Sequence, residues 1–303
     1  MLNAELEPED QSAVVGLQPS ATCLAPGSLF RARFKIQNSE FKTPVPMTRI
    51  HPTAVIDPTA EIGAGCEIGP YCVIGAGVVL GEGCWLQHHV SLTGPSRFGK
   101  ENLFYSFCAL GQRTQDLKYA GEPTHLEAGD GNTFREFVTV NRGTAPGAFT
   151  RIGSRGNFLA YCHIAHDCTV GDDVIFSNNG TLAGHVIVED HVILGGLTAV
   201  HQFCRLGRHA MTGGCSKIVQ DVPSFMIADG NPARVRGINK VALDRHGYSA
   251  DAARALKEAY RLLYRSDLNV GQAVEHMRSQ LPDIPEIEHL IAFVTKSERG
   301  IIK

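Results

Sequence analysis

From Ile50 onward, an apolar residue recurs at every sixth position, and a glycine often follows it. The first run ends at Leu110, and two further runs, 128–140 and 152–218, keep the same count of six across two interruptions. Neither an α-helix nor an alternating strand has this period. A short strand followed by a corner does, with the recurring side chain pointing inward. The pattern therefore predicts a mainly β fold, a parallel β-helix built from hexapeptide repeats.

The cysteines fit a narrow interior of this kind. The position four residues after each recurring apolar residue is small or β-branched, and seven of the nine cysteines occupy it: Cys66, Cys72, Cys84, Cys108, Cys162, Cys168 and Cys204. Their spacing matches neither paired metal-ligand motifs nor a disulfide framework. A buried free cysteine behaves as a small hydrophobic residue. We therefore expect these cysteines to be structural.

The repeat resembles that of the hexapeptide-repeat acyltransferases, whose left-handed parallel β-helices have three hexapeptides per coil. The left hand is implied by the resemblance alone, because the general rule for parallel crossovers gives the opposite hand. The two interruptions, at about residues 112–127 and 145–150, are expected to be loops that leave the scaffold. Loops on a rigid scaffold often carry function.

The regions on either side of the repeat differ from it. Residues 1–46 show no period, so we predict a disordered N-terminal extension, with Met47 as a possible alternative start. The pattern fades after Pro223, and residues 249–299 show three helical apolar faces. Asn269 is a plausible N-cap, and Pro285 lies near a helix start. The predicted division is 1–46, a β-helix at 47–222, and a helical C-terminal domain at 223–303 covering one end of the prism.

Composition excludes several functional classes. The 303 residues include 28 Lys plus Arg against 31 Asp plus Glu, which argues against a nucleic-acid or polybasic membrane surface. No apolar run approaches the roughly 20 residues that span a bilayer. The N-terminus lacks the features of a signal peptide. We therefore expect a cytoplasmic protein.

The candidate chemistry is a set of histidines. His163 and His166 lie three residues apart with Asp167 directly after them, and His185 and His201 follow at intervals of 19 and 16 residues. These intervals are close to one coil of three hexapeptides, so the imidazoles are expected near one edge of the prism.

Two chemistries fit such a cluster, and the residues alone leave both open. Three histidines could bind zinc, which in this fold resembles the γ-class carbonic anhydrases. Alternatively, one histidine could be a general base oriented by Asp167. A non-catalytic β-helix scaffold is a third reading, against which the histidine cluster and the first interruption argue.

Longer motifs resemble the UDP-N-acetylglucosamine O-acyltransferases of lipid A biosynthesis, from about Ile50 to Lys303. The matching stretches are 115–124, 163–171, 181–185, 199–204, 213–216 and 299–303. The resemblance implies transfer of an (R)-3-hydroxyacyl group from acyl carrier protein to the glucosamine 3-hydroxyl of UDP-N-acetylglucosamine. It implies no cofactor, no metal and no covalent acyl-enzyme. Another hexapeptide sugar-nucleotide acyltransferase, such as the N-acyltransferase of the same pathway, is the alternative, although residues 1–46 are short for its uridine-binding domain.

The same resemblance implies roles for individual residues. His166 corresponds to the general base, Asp167 to the residue that holds it, and the Gly184 N–H to an oxyanion donor. The implied substrate contacts are Gln115, Asp116, Lys118, His163, His185, His201 and Gln202, with Asn239 and Arg245 at the uridine diphosphate. Gly214 corresponds to the end of the hydrocarbon groove, where its missing side chain favours acyl chains of roughly 12 to 14 carbons.

The family is implied to be homotrimeric, with sites between subunits, so Lys118 and His166 of one site need not come from one chain. This sequence departs from the family pattern at two positions. His246 follows Arg245 where a second arginine is common, and Asn141 precedes Arg-Gly-Thr where histidine is common. The first departure removes an arginine charge from the position that the resemblance implies is near the diphosphate.

Overall fold

The computed structural model of the protein describes residues 47–303, so the predictions for residues 1–46 lie outside the described residues. The described chain is a left-handed parallel β-helix followed by two further strands and four helices. This confirms the predicted fold class.

Most strands of the coils are only two residues long. They are β1 (Arg49–Ile50), β2 (Val55–Ile56), β3 (Glu61–Ile62), β4 (Glu67–Ile68), β5 (Val73–Ile74), β6 (Val78–Leu80), β7 (Trp85–Leu86), β8 (Ser91–Leu92), β9 (Ser96–Phe98), β10 (Leu103–Phe104), β11 (Ala109–Gln112), β12 (His125–Ala128), β13 (Thr133–Phe134), β14 (Thr139–Asn141), β15 (Phe149–Ile152), β16 (Asn157–Phe158), β17 (His163–Ile164), β18 (Thr169–Val170), β19 (Ile175–Phe176), β20 (Thr181–Leu182), β21 (Ile187–Val188), β22 (Ile193–Leu194), β23 (Ala199–Val200), β24 (Arg205–Leu206), β25 (Met211–Thr212) and β26 (Lys217–Ile218).

Every third strand stacks in parallel on the one before it, which gives the prism three sheets. The first sheet runs from β1 through β4 and β7 to β25, the second from β2 to β26, and the third from β3 to β24. The prism therefore has three edges, each made of the corners between two sheets. These edges are called here the 1–2, 2–3 and 3–1 edges, after the sheets that they join.

The interior consists of the residues that the six-residue period marked. From Ile68 onward these side chains are buried, and the rings of Phe104, Phe134 and Phe158 stack at centroid distances of 5.3 and 5.1 Å. The seven cysteines of the second inward position are buried and free, as predicted. Burial raises the pKa of the Cys108 thiol to about 12, which keeps it protonated and unreactive.

The two interruptions are loops, with bounds that differ from those predicted. The first is shorter and spans 113–124, because β11 and β12 are lengthened by pairing with β14 and β15. The second begins three residues earlier than predicted and spans 142–148. Both loops leave the 2–3 edge.

After the coils, the first sheet continues with β27 (Met226–Gly230) and its antiparallel partner β28 (Ala233–Ile238). The prediction for residues 223–303 was a helical domain, so these two strands were not predicted. These strands follow a two-residue alternation, with Ala233 and Val235 buried and Arg234 and Arg236 exposed, so the six-residue period does not detect them.

Four helices complete the chain: α1 (Lys240–Arg245), α2 (Ala250–Tyr264), α3 (Val270–Gln280) and α4 (Pro285–Thr295). The last three are the predicted helices, with Asn269 in a capping box and Pro285 in the first turn. The tail then bridges back to the prism, where Ile301 pairs with Asp221. His289 of α4 also lies 2.8 Å from the Glu189 carboxylate of the prism. Among residues 47–303, no helix has the length and apolar character needed to cross a membrane.

Candidate active site

The 2–3 edge brings a histidine, an aspartate and a second histidine together on consecutive coils. His166 and Asp167 occupy the corner between β17 and β18, and His185 occupies the next corner, between β20 and β21. The rings of His166 and His185 meet edge to face at a centroid distance of 5.2 Å. This is the clustering that the spacing of the histidines predicted.

Asp167 fixes the tautomer of His166. Its Oδ2 lies 2.8 Å from His166 Nδ1, and the two side chains are only 12% and 14% exposed. An ionised carboxylate can only accept, so the network assigns the proton to Nδ1 and leaves the lone pair on Nε2. A neutral imidazole with a free Nε2 is the form that a general base requires.

Asp167 is itself held from three directions. Its backbone is in the left-handed region at φ 59°, and its N–H donates to Thr150 Oγ1 at 2.9 Å. The N–H of Thr144 donates to the second carboxylate oxygen, Oδ1, at 3.3 Å. His185 Nε2 lies 3.8 Å from Oδ2 on the remaining side. The carboxylate therefore cannot turn away from His166 without losing these contacts.

Thr144 also connects this carboxylate to the 113–124 loop. Its hydroxyl donates to Thr114 Oγ1 at 3.0 Å, and Thr114 Oγ1 also accepts the N–H of Asp116 at 3.1 Å. Thr114, Thr144 and Thr150 were not among the residues predicted for the site. The available signal was the Arg-Gly-Thr motif after Asn141, because Thr144 is its last residue.

Gly184 leaves room for the His166 ring. A Cβ built on Gly184 would lie 2.6 Å from His166 Nε2, which is closer than real Cβ contacts allow. Among the described residues, no backbone carbonyl accepts the Gly184 N–H. The amide is thus free beside the imidazole, where it could donate to a developing oxyanion.

The remaining predicted residues of this edge lie in different surroundings. His163 is packed against Thr139, with its Nδ1 2.7 Å from the threonine hydroxyl, and burial with the nearby His166 lowers its pKa. His163 is therefore neutral at physiological pH. His201 and Gln202 are exposed in the following corner, where the His201 ring lies near the Gln202 carbonyl, at 3.1 Å.

The first loop presents Gln115 and Lys118 to solvent. Asp116 organises the loop, since its carboxylate accepts the N–H of Lys118 at 2.9 Å. Leu117, between them, is fully exposed. The structure places these residues on the 2–3 edge, two coils before His166.

Asn239 and Arg245 lie elsewhere, in a cleft of about 530 Å³ between α1 and the outer face of the first sheet. Asn239 is buried, and its side chain is fully engaged: its oxygen caps α1 at Ala242 N, and its amide donates to the His209 carbonyl. Asn239 therefore positions α1, whose last turn carries Arg245. His246, which stands where a second arginine is common in the family, lines the same cleft.

Gly214 lies on the 1–2 edge, in the corner between β25 and β26. A Cβ at this position would meet only the Gly196 carbonyl, at 3.5 Å, so a side chain would fit. One chain thus distributes the predicted residues over different edges, with His166 on the 2–3 edge, Gly214 on the 1–2 edge and Arg245 in the cleft.

Comparison with known proteins gives the family. The family model described as "Udp N-acetylglucosamine O-acyltransferase; Domain 2" matches residues 221–302, and that of the bacterial transferase hexapeptide matches residues 47–82. An acyl-[acyl-carrier-protein]–UDP-N-acetylglucosamine O-acyltransferase of Alkalilimnicola ehrlichii is 50% identical over 198 residues, covering 65% of this chain and 77% of the relative. The chain belongs to the UDP-N-acetylglucosamine O-acyltransferase family.

Other members of this family agree with the assignment. The enzyme of Thiobacillus denitrificans is 48% identical over 203 residues, covering 67% of this chain and 79% of the relative. The crystal structure of LpxA from Acinetobacter baumannii superposes with a TM-score of 0.82 at 45% identity, covering 84% of this chain and 99% of that one. The resemblance stated from the motifs is therefore confirmed, and the protein is an acyltransferase. The zinc hydratase and the non-catalytic scaffold are set aside.

Proposed function

We propose that the protein transfers an (R)-3-hydroxyacyl group from acyl carrier protein to the glucosamine 3-hydroxyl of UDP-N-acetylglucosamine, the first step of lipid A biosynthesis, with His166 as general base. The observation that carries the residue assignment is the pairing of His166 Nδ1 with Asp167, which leaves Nε2 free beside the Gly184 N–H. The names of the relatives support the substrate classes.

The reaction follows from these groups. His166 Nε2 takes the proton of the sugar 3-hydroxyl as the oxygen attacks the thioester carbonyl of the donor. The Gly184 N–H stabilises the oxyanion that forms, and the ion pair with Asp167 stabilises the imidazolium. When the intermediate collapses, the C–S bond breaks and the proton passes from His166 to the leaving thiolate. The products are the 3-O-acyl sugar nucleotide and the free thiol of the carrier protein.

The substrate contacts are part of this proposal. Gln115, Asp116, Lys118, His163, His185, His201 and Gln202 would face the sugar and the acyl chain along the 2–3 edge, and Arg245 would meet the diphosphate. The distribution of these residues over separate surfaces supports an active site shared between subunits of a homotrimer.

An exposed aromatic ladder also supports association. Phe107, Phe137 and Tyr161 stack along the 1–2 edge at centroid distances of 5.0 and 4.8 Å, yet they are 44%, 41% and 55% exposed. A contiguous apolar surface of this kind marks an interaction site. Light scattering of the purified protein is expected to give the mass of three chains.

We further propose that the enzyme acts in the cytoplasm, where carrier-protein thioesters and sugar nucleotides are available, and that residues 47–222 and 223–303 form its acyltransferase and C-terminal domains.

A direct assay tests the proposed reaction. The purified protein is incubated with UDP-N-acetylglucosamine and (R)-3-hydroxyacyl carrier protein, and the product is analysed by mass spectrometry before and after mild base. An O-acyl product loses its acyl chain in mild base, whereas an N-acyl product keeps it. Formation of the base-labile product supports the proposal. A base-stable product, or no product, contradicts it.

A further inference from the structure

A second histidine cluster lies outside the candidate active site, on the 3–1 edge. His191 and His209 occupy equivalent corners of consecutive coils, and His246 reaches them from the end of α1. The ring centroids form a nearly equilateral triangle with sides of 4.7, 4.6 and 4.6 Å. One ring nitrogen from each lies within 4.8 Å of the other two.

His209 is held through one ring nitrogen, and its other ring nitrogen has no partner among the described residues. It is only 2% exposed, and its Nε2 lies 2.9 Å from the Tyr248 hydroxyl. Its Nδ1 is buried and has no hydrogen-bond partner among residues 47–303. A buried polar atom without a partner is costly and calls for an explanation. Histidine ligands of metals use their second nitrogen in this way, for an outer hydrogen bond that fixes the ring.

The other two imidazoles are free to complete the site. In the described part of the chain, neither the His191 nor the His246 ring makes a hydrogen bond, and both are accessible from the cleft. Bonds of about 2.0–2.1 Å in a tetrahedral site place ligand nitrogens roughly 3.3 Å apart. The candidate nitrogens lie within 4.8 Å of one another, so the His191 and His246 rings would rotate toward His209 to reach that spacing.

A carboxylate lies beside the cluster. The Asp173 carboxylate lies 3.9 Å from His191 Nδ1, and Arg155 holds it in place through two hydrogen bonds. Asp173 would therefore be an outer partner of His191, as Tyr248 is of His209.

We propose that His191, His209 and His246 bind a divalent transition-metal ion, Zn²⁺ in particular, with the fourth position open to the cleft that Arg245 lines. Three imidazoles suit Zn²⁺, whereas Mg²⁺ and Ca²⁺ require oxygen ligands. Three protein ligands leave one exchangeable position. The site goes beyond the proposed acyl transfer and does not depend on it.

Cobalt is the probe for this site, because Co²⁺ replaces Zn²⁺ and absorbs visible light in tetrahedral nitrogen sites. The full-length, untagged, metal-free protein is titrated with Co²⁺, and Zn²⁺ is then added to displace it. We expect one Co²⁺ per chain and complete displacement by Zn²⁺. Absence of the tetrahedral absorption bands would overturn the proposal.

Variants then locate the ion. His246→Ala removes an exposed ligand without touching the core, and His191→Phe keeps the stacking on His209. Each is expected to weaken binding by more than about 100-fold, because the loss of only an outer hydrogen bond typically costs 10–100-fold. Tyr248→Phe, which removes such a bond, should weaken binding by about 10–100-fold.

Two further variants are controls. His276→Gln changes a half-buried histidine on α3, outside both histidine clusters, and should leave Co²⁺ binding unchanged. His185→Ala tests the other group with metal-ligand spacing, His166, Asp167 and His185. The proposal is overturned if His246→Ala binds Co²⁺ as the wild type does, or if His185→Ala abolishes the binding instead.

Discussion

The backbone of Gly184, on the next coil, lies directly against the imidazole of His166. A Cβ at position 184 would overlap the ring, at 2.6 Å from Nε2 and closer still to Cε1. The backbone of Gly184 is not in the left-handed region, so its conformation does not itself require glycine. Glycine is needed at position 184 because the His166 ring occupies the space that a side chain would fill.

Gly184→Ala is therefore expected to displace His166 while leaving the coil intact. A displacement of about 1 Å at the reacting group can cost on the order of 10²-fold in rate, so we predict a loss of that size in kcat. Steady-state kinetics and thermal unfolding of the purified variant check this. Gly196→Ala is the matched control, since its Cβ would meet only an ordinary contact, 3.4 Å from the Asn178 carbonyl. Equal effects of the two substitutions would contradict the steric argument.

His166→Ala should remove the base itself. General-base catalysis contributes about 10²–10⁴-fold, so kcat should fall by at least that range. The stability of the fold should change little, because the ring lies at a corner and outside the apolar interior. Activity and thermal unfolding are measured together, with His276→Ala as a surface control. Near-normal turnover of His166→Ala would refute the mechanism.

Lys118→Ala should act on substrate binding. The side chain is exposed in the middle of a loop that Asp116 orders, where its charge is available to an anionic ligand. A hydrogen bond to a charged group contributes about 1.5–3 kcal/mol, which predicts a KM for the sugar nucleotide raised by about 10–100-fold. Lys100→Ala removes another exposed lysine, paired with Glu82, and should leave KM unchanged. Unchanged kinetics in Lys118→Ala would remove this residue from the site.

The six-residue period was sufficient to predict the coils, because from Ile68 onward each marked position is a buried residue of a short strand. Ile164, Leu182 and Val200 illustrate this, stacked on three consecutive coils of the second sheet. The same period predicted that His166 and His185 would be neighbours. It carries no information on handedness, which came from the resemblance alone.

The parts that the sequence did not predict depend on contacts between distant segments. Thr144 contacts Asp167 on the next coil from within the 142–148 loop, and no local pattern encodes that contact. The 18-residue interval between His191 and His209 equals one coil, so their proximity was predictable in principle. His246 joins them from a short helix after the repeat, which periodicity cannot place.

The contact between Glu189 and His289 predicts a pH-dependent stability. Burial alone would raise the pKa of Glu189, but hydrogen bonds from His289 and the Arg208 N–H outweigh it and hold the pKa below the usual 4.5. The ionised carboxylate therefore stabilises the fold above about pH 4.5, and this contribution is lost as the pH falls further.

Glu189→Gln should accordingly lower the free energy of unfolding by about 1–3 kcal/mol at pH 7. The difference from the wild type should shrink below pH 4.5, the usual value for a free glutamate. Denaturant unfolding across this range measures both. Glu82→Gln, which breaks a solvent-exposed pair with Lys100, should lower the free energy of unfolding much less than Glu189→Gln does. A difference that is independent of pH would show that the charge of Glu189 is not responsible.

Gly214 is expected to set the length of the acyl chain. A side chain at this corner would meet only the Gly196 carbonyl, at 3.5 Å, so it would extend into open space on the 1–2 edge instead of disturbing the coil. Each buried methylene contributes about 0.8 kcal/mol, and four more would favour a long chain by roughly 3 kcal/mol. We therefore predict that the wild type prefers hydroxyacyl donors of roughly 12 to 14 carbons over 10, and that Gly214→Met reverses the preference while retaining activity. Rates with the two donors, measured side by side for both proteins, decide this. A wild type that prefers the shorter donor would show that residues other than Gly214 determine the length of the acyl chain.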